Sequence, residues 1–382
     1  MSKWDNPKAM NAKDVAHLPL LVAGLAFALA FVFGAVANKV NFCTMGAVTD
    51  VVNFGDWRRM RMWVLAIAIA IAGAGVMAAM GLVDFAKTIY TNPKVAWVSA
   101  LVGGFLFGFG MTLSSGCGSK TLIRAGAGNL KSWVVLFVLA IAAYMTLKGL
   151  FAVWRTAGLD PWRLDVSGLG AATSDLPAIA AAVGLGAARA WLPFVVAALL
   201  LIYVFKDREF RTTPELILGG VVVGLVIVGG WYISGHLGYL AEDPNTLEEK
   251  FVATNSGRAE SYSFTSPVAY TLELLMFRSD SSRIVTFGIA GVLGMLTGSL
   301  AYALVSKTFR WEGFGSVEDV ANHIAGGVLM GFGGVTALGC TIGQGLTGIS
   351  TLAIGSILAF AAIIAGCVAC VRYQEWRLES AS

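Results

Sequence analysis

The sequence predicts an all-α, polytopic helical membrane protein with about nine transmembrane helices, four re-entrant segments and an inverted internal repeat. Three observations carry that expectation. Of 382 residues, 57% are hydrophobic and 13% charged, about half the charged share of a soluble domain, and the mean hydropathy is +0.74. The apolar residues gather in blocks near the length of about 20 residues that crosses a bilayer as a helix. One glycine-rich stretch occurs twice. This composition excludes a disordered chain and argues against a soluble enzyme. The formal net charge of +4 includes no basic tract with interleaved aromatics, so no nucleic-acid partner is expected; the lipid bilayer is.

A polar tail of mixed charge covers 1–17 (Lys3, Asp5, Lys8, Lys13, Asp14). No small-residue cleavage site follows a short apolar core, so the first apolar block should remain as a helix. Spans are predicted at 18–38, 62–83, 96–113, 132–153, 178–205, 215–234, 284–305, 322–338 and 353–372, and a second polar tail covers 373–382. Pro193, Gly184 and Gly186 interrupt the fifth span; a short surface helix followed by a span is the alternative, and the parity of the topology turns on it. Segments 41–55, 115–131, 263–279 and 339–351 are too polar and glycine-rich to span, yet too apolar to be free loops. They read as re-entrant. Backbone of that kind at membrane depth needs protein or a water-lined cavity to satisfy it, which points toward transport.

The repeat explains why there are four. Gly103-Gly104-Phe105-Leu106-Phe107-Gly108-Phe109-Gly110, followed by Gly116-Cys117, recurs at an offset of 223 as Gly326-Gly327-Val328-Leu329-Met330-Gly331-Phe332-Gly333, followed by Gly339-Cys340. Phe42-Cys43-Thr44 through Thr49 corresponds more weakly, at an offset of 222, to Phe264-Thr265-Ser266 through Thr271. The chain then divides into a first membrane repeat over 18–153, a connecting region with a linking transmembrane helix over 154–214, and a second membrane repeat over 215–372. Four spans plus one would invert the second copy, a recurring construction of secondary transporters. The spacings Gly104-xxx-Gly108 and Gly327-xxx-Gly331 also have a plain packing role, since small residues let helices approach closely in lipid.

The Gly116-Cys117-Gly118-Ser119-Lys120-Thr121 segment has Ser119 where a phosphate-binding loop needs glycine before its lysine, and it follows an apolar helix rather than a strand, so no nucleotide site is expected. His17, His236 and His323 are far apart in sequence, and no metal or other cofactor is expected. Neither a hydrolase elbow nor a triad is evident, so the chain does not read as an enzyme. The five cysteines do not make a secreted disulfide framework. Cys367 and Cys370 share one face of the last helix and read as packing residues. Cys43, Cys117 and Cys340 each lie in a break, beside glycine or small polar residues that expose backbone N–H groups. A thiol offers a polarizable sulfur, a weak S–H donor and, when deprotonated, a nucleophile, properties suited to a soft, sulfur-containing anion. Half-helix ends near Ser115-Gly116 and Gly339 could present N–H groups to it. Lys120, Arg124 and Lys131 are either anion-attracting or ordinary interfacial charge; the second copy has Gly343, Thr347 and Ser350 instead.

Four motifs occur in order: Asn41-Phe42-Cys43-Thr44-Met45-Gly46, Gly103 to Cys117 continuing to Arg124-Ala125-Gly126, Ser263-Phe264-Thr265-Ser266-Pro267, and Gly326 to Gly343. Together they resemble the YeeE/YedE sulfur-transport family of bacterial inner-membrane proteins, from about residue 20 to 372; only 154–190 and 236–262 look peculiar to this chain. The resemblance implies a multi-pass, hourglass-shaped helical protein that imports thiosulfate or a related sulfur anion along Cys43, Cys117 and Cys340. It also implies a separate, small TusA-like sulfur-carrier partner. Two alternatives share the scaffold: a selenium-species transporter, and a membrane sulfurtransferase that forms a cysteine persulfide. The basic 206–214 connection and the acidic 236–282 connection favour an external N-terminus and a cytoplasmic C-terminus. The expected order inward is Thr265, then the Cys340/Cys117 pair, then Cys43.

Overall fold

The computed structural model describes residues 12–243, 246–280 and 284–381. Residues 1–11 of the expected N-terminal tail lie outside the described residues. The helices are α1 Ala12–Lys39, α2 Thr44–Thr49, α3 Arg58–Met80, α4 Trp97–Leu113, α5 Gly118–Gly126, α6 Leu130–Lys148, α7 Leu150–Gly158, α8 Leu176–Ala182, α9 Ala188–Phe205, α10 Arg208–Arg211, α11 Pro214–Tyr232, α12 Thr265–Met276, α13 Phe287–Val305, α14 Val317–Thr336 and α15 Ile354–Ala381. Helix α2 runs on as a π-helical stretch, Asp50–Phe54, and another, Gly343–Gly348, stands before α15. Described sheet is confined to two short antiparallel pairs, Lys94–Val95 with Leu164–Asp165 and Tyr239–Leu240 with Lys250–Phe251.

Among the described residues, eight helices are long and apolar enough to cross a membrane, where nine were expected. The difference is the expected span 322–338. It is part of α14, whose first two turns carry Glu318, Asp319, Asn322 and His323 and lower its mean hydropathy. The expected span 132–153 also ends early, at Lys148, because Gly149 takes an extended backbone (φ −109°, ψ −153°) from which α7 starts afresh. The expected fifth span is two helices, α8 and α9, parted by a turn in which Gly184 has a φ of +108°.

Loop contacts separate into two faces. On one, Lys39 pairs with Glu215, Arg61 with Asp207, Lys131 with Asp319 and Arg377 with Glu318. On the other, Lys87 pairs with Glu249, Thr88 bridges to Ala259, and Asp175 bridges to Ala353. Residues 175–207 therefore run from the second face to the first, so α8 and α9 together make one traverse. Helix α14 runs the opposite way, from Asp319 on the first face to Ala337, which lines a cavity on the second.

Helix packing is reciprocal between the halves: α1 lies on α13 as α11 lies on α3, α4 on α15 as α14 on α6, and α4 and α14 on each other. Glycine makes these approaches close. A Cβ on Gly103 would meet the Gly333 carbonyl at 2.8 Å, and one on Gly110 the Gly326 carbonyl at 2.7 Å. Gly104 and Gly108 admit the α15 backbone, and Gly327 and Gly331 admit α6. The small-residue spacing is therefore a packing device in both copies. Gly110→Val should lower the apparent melting temperature in detergent by several degrees, since overpacking such a contact costs about 1–3 kcal/mol. Gly24→Ala, with nothing within 4 Å of its added Cβ, should leave it unchanged or higher. Equal stability of the two variants would contradict the packing role of Gly110.

Candidate substrate path

Three of the breaks are built alike. Helices α1, α4 and α14 each close with a pair of backbone bonds: Asn41 N–H to the Asn38 carbonyl (3.2 Å) and Phe42 to Ala37 (2.9 Å); Ser115 to Thr112 (3.2 Å) and Gly116 to Met111 (2.8 Å); Leu338 to Val335 (3.0 Å) and Gly339 to Gly334 (2.7 Å). This closure puts one residue in the left-handed region, where glycine is usual. Here it is Asn41, Ser115 and Leu338, at φ 53°, 57° and 59°. Two residues beyond each stands a cysteine. Its carbonyl then starts the next helical segment, accepting from Ala47 (3.0 Å), Thr121 (2.8 Å) and Gln344 (2.8 Å) for Cys43, Cys117 and Cys340 in turn.

Each thiol thus occupies a capping position normally held by Ser, Thr, Asp or Asn. The Cys43 sulfur accepts from Gly46 N–H at 3.4 Å and the Cys340 sulfur from Gly343 N–H at 3.5 Å, while Cys117 lies 3.2 Å from the Ser119 hydroxyl. The fourth break differs because a long loop, not a helix, leads into it. Phe264 precedes α12 and donates its backbone N–H to the Cys340 sulfur at 3.4 Å, with the Ser263 hydroxyl 3.9 Å from the same sulfur. Thr265, the expected counterpart of Cys43, opens α12 itself.

All three thiols are fully buried. Those of Cys43 and Cys117 adjoin, and the Thr341 hydroxyl also approaches Cys117. Cys340 stands with the Ser263–Phe264 turn instead. Aromatic rings close the surroundings: Phe42 stacks on Trp63 (4.6 Å), Trp63 on Phe360 (5.9 Å), and Phe33 touches both Phe42 and Phe264.

The hydroxyls of Thr44, Thr265, Thr336 and Thr341 and the Gln344 carbonyl oxygen are buried without a hydrogen-bond partner. Of these, only Thr265 was singled out from the sequence. The readable signal was the Cys-Thr pair, which recurs at Cys43-Thr44 and Cys340-Thr341. Lys120 donates its ammonium to the Asn41 side chain, and Arg124 donates to the Ser115 carbonyl at 3.0 Å and approaches Glu312 at 3.9 Å. Both cations therefore brace left-handed turns beside the thiols. Lys131 is paired with Asp319. Cys367 lies apart, between α15 and α4, its sulfur accepting from Thr112 at 3.2 Å, and Cys370 is buried one turn on.

On the second face, two cavities of about 210 and 180 Å³ share Tyr90, Arg155 and Leu338. The first reaches Thr336 and Gln344, the second Ser263, beside Cys340. A family model described as sulphur transport matches residues 39–369, which include every break. The chain belongs to the sulphur-transport family. It is similar to the thiosulfate transporter TsuA of Escherichia coli, 27% identical over 82% of this chain and 83% of that one. It is equally similar to the thiosulfate transporter TsuA of Spirochaeta thermophila, 27% identical over 88% and 94%. A shorter match, 27% over 29% of this chain, joins it to the probable transporter YedE of Escherichia coli. Membership and the apolar helices make this a multi-pass membrane transporter.

In a variant of this sulphur-transport protein retaining Cys43 and Cys117 alone, diamide should remove both free thiols within one molecule, read as the loss of two hydrogens by mass spectrometry. A variant retaining Cys117 and Cys370 alone should keep them. Failure of the first pair to cross-link would contradict their juxtaposition.

Proposed function

We propose that this protein imports thiosulfate, or a closely related sulfur oxyanion, across the bacterial inner membrane, handing it from thiol to thiol without a covalent intermediate. The observation that carries this reading is the alignment of buried thiols. The second-face cavity ends at Ser263, beside Cys340; Thr341, next to Cys340 in the chain, approaches Cys117, and Cys117 adjoins Cys43 among Lys120, Arg59 and Arg124. Two relatives bear the name thiosulfate transporter, and thiosulfate is the cargo brought here to this chain. Its soft terminal sulfur suits S–H donation, and its oxyanion end suits hydroxyl and backbone donors.

The crossed contacts Gly103–Gly333 and Gly110–Gly326 are equivalent to each other under the repeat, as a local two-fold axis would make them. They support an inverted repeat, with its four short helical segments entering from opposite faces. The second face is then external and the first cytoplasmic. The order inward is Thr265 with Cys340, then Cys117, then Cys43, from which a TusA-like carrier would accept cargo.

Cys117→Ala and Cys340→Ala should each lower labelled-thiosulfate uptake at least about tenfold, with serine restoring part. Thr265→Ala should have a smaller effect, and Cys367→Ala and Cys370→Ala little. Normal uptake by a well-expressed Cys117/Cys340 double alanine variant refutes the relay. Purified protein in empty vesicles should deliver both sulfur atoms of thiosulfate together. A protein persulfide accompanied by released sulfite would establish a sulfurtransferase instead. In a variant retaining Cys43 alone, a membrane-impermeant thiol reagent should label from the cytoplasmic face; labelling from outside alone would reverse the orientation.

A further inference from the structure

On the transport reading above, the two cavities form the outer vestibule. Two stretches that look peculiar to this chain meet there: Arg155 of α7, from one, lines both cavities, and Glu260, from the other, lines the second together with Ser263. The vestibule holds three cations, Lys94, Arg155 and Arg163, and the carboxylate of Asp160, which pairs with Arg155 at 3.4 Å. Among the described residues, Glu260 is the remaining acidic group in the two linings.

Among the described residues, its surroundings supply hydrogen bonds and no counter-charge. Ser256 donates to its Oε2 at 2.9 Å, and its own N–H donates to Ser234 at 3.0 Å. The neighbouring cations are engaged elsewhere: Arg258 with the Thr88 carbonyl, Lys87 with Glu249 and Tyr239, Lys250 with Asp243, and Arg155 with Asp160. His236, on the turn that carries Ser234, faces the Leu82 carbonyl. Tyr90 and Tyr270, which line the same cavity, are the other titratable groups near the carboxyl.

We propose that Glu260 takes up and releases a proton at the mouth of the path and thereby sets the anion affinity of the vestibule. Protonated, it leaves the excess of cations unopposed; ionised, it halves that excess and repels a dianion on its way to Ser263 and Cys340. Burial pushes this carboxyl up to about 7, although Ser256 draws it down. The group is neutral below that pH and charged above it, so affinity falls as pH rises through about 7.

The test measures thiosulfate binding to purified protein and labelled uptake, each from pH 5.5 to 8.5, in wild type, Glu260→Gln and Glu260→Asp. Wild-type dissociation constant and KM should rise roughly fourfold across pH 7, the effect of one charge on a dianion about 10 Å away across water. Glu260→Gln should hold the low value throughout, and Glu260→Asp should restore the dependence. Apparent melting temperature gives a reading free of ligand. A carboxyl raised by folding makes stability fall as pH rises from its unfolded value toward about 7, so Glu260→Gln should match wild type near pH 4.5 and exceed it at pH 8. Binding by Glu260→Gln with the wild-type pH profile overturns the proposal, as does an unchanged difference in melting temperature between the two pH values. Wild-type protein that binds with the expected profile but does not transport refutes the transport reading while supporting the role of Glu260.

Discussion

Backbone that leaves the helix at membrane depth must find its hydrogen bonds inside the protein, and the organisation of the path follows from that constraint. The closures at Asn41, Ser115 and Leu338 turn the last carbonyls of α1, α4 and α14 back onto the chain. A fresh helical segment begins two residues later, so its first N–H groups open into the protein interior. The left-handed residue is not glycine at any of the three. Holding a larger residue there costs about 1 kcal/mol or more. Arg124 on the Ser115 carbonyl and Lys120 on the Asn41 side chain are interactions that offset this cost. The glycine crossing of α4 and α14 then brings two of the three turns to opposite ends of one contact.

Sulfur at the capping position has a physical consequence. It is a weak acceptor, so a thiol cap satisfies the first N–H groups less well than a hydroxyl or carboxylate would, and the positive end of the helical segment stays partly uncompensated. The unpartnered hydroxyls of Thr44, Thr265 and Thr341 are in these same segments. A buried donor without a partner costs about 1–3 kcal/mol, and native proteins keep few of them. Their concentration around three thiols, inside a shell of aromatic rings that keeps the local dielectric low, makes a surface of donors suited to an anion.

The parts of this architecture that depend on local pattern were legible in the sequence. Glycine at 103, 104, 108 and 110 and again at 326, 327, 331 and 333 is dictated by backbone contact, so the repeat survives where the surrounding side chains have diverged. Cysteine two residues past a helix end also marks the breaks. Hydropathy located α14 but trimmed its start, because its polar first turns face Lys131 and Arg377 across one face and only its second half is apolar. It also merged α6 with α7, whose parting depends on the backbone conformation of Gly149 rather than on apolar content. Thr336 and Gln344 become visible only through tertiary burial, which no spacing encodes. The same holds for the partnership of Cys43 with Cys117 across 74 positions of chain.

The two ends of the proposed path differ in charge, and that difference bears on how an anion could both enter and leave. Around Cys340 the groups are neutral: Ser263, the Phe264 N–H and Thr341. Around Cys43 and Cys117 stand Arg59, Lys120 and Arg124. Two of these carry a carboxylate partner, Asp50 at 2.9 Å for Arg59 and Glu312 at 3.9 Å for Arg124. Among the described residues Lys120 has no such partner; it is bonded to the neutral Asn41 side chain. An anion arriving at the Cys117–Cys43 pair would therefore meet about one uncompensated positive charge. That is enough to draw a dianion past neutral Cys340, yet far short of neutralising it. Permeation needs that balance, with binding favourable enough to enter and weak enough to release. On the proposed path, the carboxylates beside Arg59 and Arg124 would keep the inner station from binding the anion too tightly to pass it on.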